Sequence, residues 1–369
     1  MSTTLRTFSL PPTITIQPNL ELSQGFYKLE QADDASAIPE NPLVSQLEKE
    51  VEELGRAVFN KYNPKNESND KEPYFSLERL FHKAIEMGKA LTTEALLQQK
   101  ISPDAHINGF TPLFQACLTG NKAIIELLLN HNANPNLENN LSDPKKESFN
   151  VLDRFYHKAK PISAAAFFGD VDIVKQLEGK GAKLHEPDSN GGLPIFYAVK
   201  GKKEQMALYI LFRGLDAKVD DAFHLNLMAV AIRSDLFQLT QRIVEIDPKI
   251  FEKQDGVGEN ILHIAARSVH TRILLFLLES SPNKTALSLM SSETKISPLG
   301  AAISTTSEDN VKALVEAGAD LRQVSDGMDA KSYAKDRVKN PNTSTLTADD
   351  IKKRKAIATY LKKVTKQQS

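Results

Sequence analysis

Residues 111–134 read TPLFQACLTGNKAIIELLLNHNAN, and this stretch decides the architecture. Thr111 ahead of Pro112 marks a helix start, because the hydroxyl can cap the helix and proline in the first turn loses no needed donor. Ala116 is small enough to let a neighbouring helix approach closely. Gly120 breaks this first helix, and a second, apolar helix returns over Ala123 to Leu129 before Asn132-Ala133-Asn134 ends it. Such a hairpin cannot bury its apolar face alone, so it must stack on others.

The same design recurs along the chain. Lys160-Pro161-Ile162 leads to Ala165 and Gly169, Leu193-Pro194-Ile195 to Ala198, Asn260-Ile261-Leu262 to Ala265, and Ser297-Pro298-Leu299 to Ala302. Weaker copies place Ala84 and Gly88 before the series, Val230 inside it and Ala334 after it. The marker positions 84, 116, 165, 198, 230, 265, 302 and 334 are separated by 32, 49, 33, 32, 35, 37 and 32 residues, a period near 33. Turns rich in Asn, Asp and Gly (Asn108-Gly109, residues 189–192 and 255–258) precede the first helices and supply special backbone angles. Second helices are expected over Val171 to Leu177, Arg272 to Leu278 and Asn310 to Val315.

These residues resemble the ankyrin repeat, whose pattern is a turn, Thr-Pro-Leu-His, alanines, glycine, a Leu-Leu helix and Gly-Ala-Asp. The clearest matches are Asn108 to Asn136, Lys160 to Lys183, Gly258 to Glu279 and Ser297 to Leu321. The unit from Leu225 to Ile246 departs most, lacking Thr-Pro and the glycine, so its register stays open. The fold expected is an all-α solenoid of stacked ankyrin-like hairpins with a helical N-terminal extension.

Around the array, residues 1–41 are expected to form an extended arm or to be disordered. Residues 42–75 are expected to hold a capping helix and a loop: Leu43, Leu47, Val51, Leu54 and Val58 recur at helical spacing, and Asn63-Pro64 ends the pattern. The array then spans 76–364, with an insertion at about 137–158 and a C-terminal capping helix over 347–364, followed by a tail at 365–369.

Composition excludes several function classes. The formal net charge of −1 offers no global attraction to nucleic acid, so no nucleic-acid partner is expected. The apolar runs are too short to span a bilayer. One cysteine, Cys117, precludes an internal disulfide and suggests a reducing, cytoplasmic setting, or a host cell's interior if the chain is delivered there. No phosphate loop, His-Glu-x-x-His or Cys-x-x-Cys pair is present, so no cofactor, metal or catalytic residue is assigned. Cys117 falls on an alanine-like helix position and reads as a small buried hydrophobe. His82 and His263 occupy the histidine of the repeat, where the ring ties adjacent turns together. Seven Lys or Arg and no acid lie between Ile351 and Ser369, and Lys352 to Lys355 reads as a solvated basic face, an import signal or a membrane contact.

The resemblance implies a non-catalytic scaffold that binds a protein through the ends of the first helices and the turn tips. Carried over position by position, the first row includes Glu86 and Met87, Leu118 and Thr119, Phe167 and Phe168, Lys200, Arg233 and Arg267. The adjacent phenylalanines are the anchor candidates, unless they pack beneath the insertion. Lys200, Arg233 and Arg267 would form a basic stripe favouring an acidic segment of the partner. The tips would be Phe110, Ser189, Asn190, Val257, Glu259, Lys295 and Ile296, of which Phe110, Val257 and Ile296 are apolar where solvent is expected. A monomer is expected. The alternative is a secreted bacterial effector acting on host proteins, with a second docking or activity segment in residues 1–75.

Overall fold

The computed structural model describes residues 14–18, 27–31, 42–62, 76–141, 156–214, 221–281, 284–322, 324–325, 327–339 and 347–367. Two compact units divide the chain, Met1–Gly201 and Lys202–Ser369.

In the first unit, residues 14–18 enter a strand pair. Strand β1 (Ile14–Pro18) pairs antiparallel with β2 (Tyr27–Gln31), Ile14 facing Gln31 and Pro18 facing Tyr27. Part of the expected arm is therefore a strand pair, which gives the extended backbone the partners it needs. This hairpin is an addition to an otherwise helical fold. Strand β2 runs beside helix α1 (Pro42–Tyr62), and β1 lies near α2 (Leu77–Glu86) and α3 (Ala90–Gln98).

Helix α1 buries Leu47, Val51 and Leu54 against α2 and α3, each at 1% exposure or less. Leu43 and Val58 lie outside the described side chains. The buried Glu50 carboxylate accepts from the Thr92 hydroxyl (3.0 Å) and backbone N–H (3.3 Å), tying α1 to α3. Helices α4 (Pro112–Thr119) and α5 (Lys122–Asn130) form the next hairpin, α6 (Pro161–Phe168) and α7 (Val171–Gly179) the one after, and α8 (Pro194–Lys200) follows. The first helices α2, α4, α6 and α8 pack in succession.

Local chemistry sets these boundaries. Ser76 accepts from Arg79 N–H (3.2 Å) and Thr111 from Phe114 N–H (3.1 Å), each capping its helix. Gly120 and Gly169 end α4 and α6 in the left-handed region, at φ 67° and 81°. Ala116 and Ala165 are fully buried between neighbouring helices. Successive units are also stitched by Asn and Asp: Asn134 N–H donates to the Asp104 carboxylate (2.9 Å) and Lys183 N–H to the Asn136 amide oxygen (3.0 Å).

The long 49-residue spacing between markers 116 and 165 has a simple resolution. Asn139 and the 158–159 segment clasp each other, with Asn139 N–H donating to Ala159 O and Lys158 N–H to Asn139 O, both at 3.1 Å. The buried Asn139 side chain also accepts from Thr111 N–H (3.1 Å). The extra residues thus leave and rejoin the stack at one point.

The second unit opens with α9 (Glu204–Phe212). Hairpins follow: α10 (Asp221–Arg233) with α11 (Phe237–Ile246), then α12 (Ile261–Arg267) with α13 (Thr271–Ser280). After the short α14 (Thr285–Ser288) come α15 (Pro298–Ser304) with α16 (Glu308–Glu316), and α17 (Ala330–Lys339) with α18 (Ala348–Gln367). Helices α10, α12, α15 and α17 form one row, and α9, α11, α13, α16 and α18 the other. The structure fixes the open register at Leu225 to Ile246. Asp235 adopts φ 59° after α10, so Arg233 ends a first helix without the glycine. Helix α18 runs past residue 364 into the expected tail and is preceded by Thr347, which exchanges hydrogen bonds with Asp350.

Candidate functional site

The first-helix ends of the first unit make a partly apolar row. Met87 follows α2 at 36% exposure, Leu118 on α4 is half-buried, and Phe168 on α6 is 43% exposed. Thr119 is exposed, with its hydroxyl donating back to Ala116 O (3.0 Å). Phe167 is half-buried and meets the Tyr156 ring edge-on, centroids 6.3 Å apart, while its own ring meets Phe168 at 5.4 Å. The two phenylalanines therefore differ in their surroundings. Phe167 packs against the re-entry of the insertion, and Phe168 faces solvent.

The aromatic contacts continue inward. Tyr156 meets Phe114 at 5.5 Å, and Phe114 meets the half-buried tip residue Phe110 at 6.0 Å. Lys200 is exposed at the end of α8, beside the aromatic pair. An ideal Cβ on Gly201 would fall 2.1 Å from Phe167 O, so only glycine permits this approach of α8 to α6.

Asp188 governs the adjacent tip and escaped the sequence reading. Its Oδ1 accepts from Asn190 N–H (2.9 Å) and Gly192 N–H (2.8 Å), and Oδ2 accepts from the Tyr197 hydroxyl (2.7 Å). Burial, and then the Asp188 carboxylate, push the Tyr197 phenol well above its ordinary range. Ser189 donates its hydroxyl to Glu138 (2.6 Å), and the Asn190 amide donates to His157 O (2.6 Å). The signal was an aspartate four residues before the end of a Gly-rich turn. Asp255 repeats it, accepting from Val257 and Glu259 N–H at 3.0 and 2.9 Å.

In the second unit, exposed Arg233 and half-buried Arg267 line a cleft of about 340 Å³ with Glu259, Ile264, Val269 and His270. Glu259 is buried and forms an ion pair with Arg267. The expected basic stripe is thus interrupted, since the Arg267 charge is already compensated. Glu259 is accordingly not a solvent-facing tip. Ile296 is a second correction: it is only 7% exposed, because Ser291 N–H closes the loop onto Ile296 O (2.9 Å) and turns the side chain inward. Val257 is half-buried.

The repeat histidines act as ties. His263 Nε2 lies 3.0 Å from Ile296 O, while Nδ1 lies 2.7 Å from Asn260 Oδ1 and 3.3 Å from Asn260 N. Burial lowers the His263 pKa, outweighing the Ile296 carbonyl. His82 Nε2 donates to Ala105 O (2.7 Å). Asn310, fully buried on α16, donates to Ala266 O (3.0 Å) and Ser268 O (2.7 Å) and so holds the end of α12. Cys117 is buried, which pushes its thiol far above the usual range and disfavours the thiolate. Within the C-terminal basic cluster, Arg354 is buried and donates to Arg337 O, and Lys353 pairs with Asp349 (2.7 Å), leaving Lys352 and Lys355 as the exposed remainder. Among the described residues no group of three His, Cys, Asp or Glu is placed to hold a metal, and no helix is long and apolar enough to cross a membrane.

Stacked capped hairpins, buried alanines and histidine ties between turns define a helical repeat protein. The family model for ankyrin repeats matches residues 51–139 in three copies, beginning inside α1. Residues 51–139 thus match ankyrin repeats, which are modules that bind other proteins. Phosphocholine transferase AnkX of Legionella pneumophila is 26% identical over 194 residues, 52% of this chain and 19% of that protein. Rabankyrin-5 of Mus musculus is 26% identical over 165 residues, 44% of this chain and 14% of its own length. The chain thus spans less than a fifth of these relatives. A solved complex, the Bd0816 predatory endopeptidase of Bdellovibrio bacteriovorus with immunity protein Bd3460, aligns at TM-score 0.44 and 22% identity, over 55% of this chain and 96% of that one.

Proposed function

We propose that this chain is a non-catalytic, monomeric interaction scaffold that captures a protein partner on the first-helix row of its first unit. One observation carries the reading: Phe168 stands exposed on a row that also offers Met87 and Leu118, with Lys200 alongside. A large aromatic held against a rigid ring stack loses little entropy on binding and suits an interface anchor. Exposed Lys200 and, in the second unit, Arg233 favour an acidic stretch in the partner. Phe110, Thr119 and Phe167 belong to the same proposed surface, and Val257 and Arg267 are proposed as contacts on the second unit by itself. The setting proposed is a reducing cytoplasm.

The test is affinity capture from cytosolic extract with wild type and the F167E/F168E double variant, alongside single F168E. Loss of the same partner in both variants, with helical content and melting of F168E unchanged, supports the reading. A partner retained at wild-type yield by F168E contradicts it.

The partial match to a protein of Legionella pneumophila favours a second reading, a bacterial effector with a further docking segment in residues 1–75. The β1–β2 hairpin beside α1 is the structural element available for that segment. Deletion of residues 1–41 should then remove one partner and keep another, whereas an unaltered partner set contradicts this reading.

A further inference from the structure

Six described cations of the second unit meet acids. Lys253 pairs with Asp247, Arg242 with Glu245, Arg267 with Glu259, Lys312 with Glu308, Arg337 with Asp336 and Lys353 with Asp349. Another group of cations gathers at the far end of the unit. Arg322, from the loop after α16, Lys331 at the start of α17, and Lys362 and Lys366 near the end of α18 line one cleft of about 540 Å³. Arg322, Lys331 and Lys362 are exposed and are in no ion pair among the described residues. Asp329 is the acid lining the cleft, and its carboxylate already accepts the Ser332 N–H (2.6 Å) that it caps.

Arg322, Lys331 and Lys362, from three chain segments, repel one another when brought to one concavity, and an anion between them relieves that repulsion. A concave, like-charged wall also concentrates the field and raises the local anion concentration. The cleft has the volume of a small-molecule site rather than of an extended peptide track. Several short-stemmed, multivalent acceptors in a compact body are what four separate donors can satisfy together. We propose that this cleft binds a compact polyanion bearing two or more phosphate groups, with Arg322, Lys331, Lys362 and Lys366 as its ligands. Arginine supplies the bidentate contact and the lysines point-charge contacts. The site is independent of the protein-binding row on the first unit.

Titration calorimetry of the full chain with inositol hexakisphosphate tests this, using wild type, K331E, K362E and, as control, K363E, at an exposed residue of α18 outside the cleft lining. Saturable binding that falls roughly tenfold or more with each of K331E and K362E is expected, since one charge-assisted hydrogen bond carries about that factor. K363E should bind within about twofold of wild type. Circular dichroism melts without ligand should coincide for all four proteins, because the altered side chains are exposed. A vesicle arm assigns the source of the phosphates. Retention of the wild type on vesicles with phosphatidylinositol bisphosphate, beyond that on phosphatidylserine vesicles of equal charge, adds a lipid headgroup to the soluble ligand. Retention on neither assigns the free form. The proposal is overturned if no saturable binding of the inositol phosphate occurs below 1 mM as an order-of-magnitude limit, or if K363E weakens it as much as K362E. Saturation by a polyglutamate peptide with no binding of the inositol phosphate also overturns it.

Discussion

Replacing Asp188 by alanine should open the tip at residues 188–192 without unfolding the helices around it. Three donors converge on this carboxylate: Asn190 N–H, Gly192 N–H and the hydroxyl of Tyr197, a residue only 5% exposed. Hydrogen bonds to a charged acceptor contribute about 1.5–3 kcal/mol each, and an orphaned buried hydroxyl costs about 1–3 kcal/mol. The two turn amides can recruit water once the tip loosens, so their loss is smaller. The expected cost for Asp188→Ala is about 3–4 kcal/mol, dominated by Tyr197. Tyr197→Phe removes one donor and leaves the carboxylate two partners, at about 1–2 kcal/mol. The double variant should cost about 1 kcal/mol less than the sum, because no hydroxyl is left stranded. Hydrogen exchange followed by mass spectrometry over residues 186–200 reads this directly. Opening by 3–4 kcal/mol accelerates exchange at Asn190 and Gly192 by roughly 10²–10³-fold. Unchanged exchange in Asp188→Ala, or strictly additive single and double variants, would refute the reasoning.

The His263 tie should make the second unit sensitive to mild acid. Burial holds the folded pKa below the ordinary 6.5, so below that pH the unfolded chain takes up a proton that the folded one refuses. Stability should be flat above about pH 7 and fall as pH drops through 6.5 toward the lowered folded value, with His263→Gln flattening that dependence in urea titrations. Gly201→Ala should cost about 1–3 kcal/mol by driving a methyl into Phe167 O, and urea midpoints together with a shifted aromatic circular dichroism signal check this. F168E should change stability by less than about 0.5 kcal/mol, whereas Phe167→Ala, which removes a ring packed on Tyr156, should cost about 1–2 kcal/mol, both by chemical denaturation.

Much of the architecture is written in short-range chemistry. Thr111-Pro112, Ser297-Pro298 and Asn260 announce their helix starts because a cap needs only residues within one turn, and each caps as expected. The stripe Leu47, Val51 and Leu54 is likewise a one-helix property. Long-range features are the ones that stayed hidden. Glu259 and Ile296 looked like tips by position in the period, yet Arg267 draws one inward and the Ser291 clasp the other, and both partners lie several residues or more away. The β1–β2 pairing stayed hidden within the expected arm, since pairing with Tyr27–Gln31 is not encoded in either strand alone. Arg267 shows the limit for the surface: a basic residue in the right row reads as free charge until its carboxylate is located.

The claim that the first-helix row is the docking surface is tested most directly by site-specific photocrosslinking. A photoreactive amino acid placed singly at Met87, at Phe168 and at the exposed Glu126 on α5 would be activated with the captured partner bound. The account predicts one adduct of the same mass from positions 87 and 168 and none from 126. Crosslinking from 126 but not from 168 would contradict it.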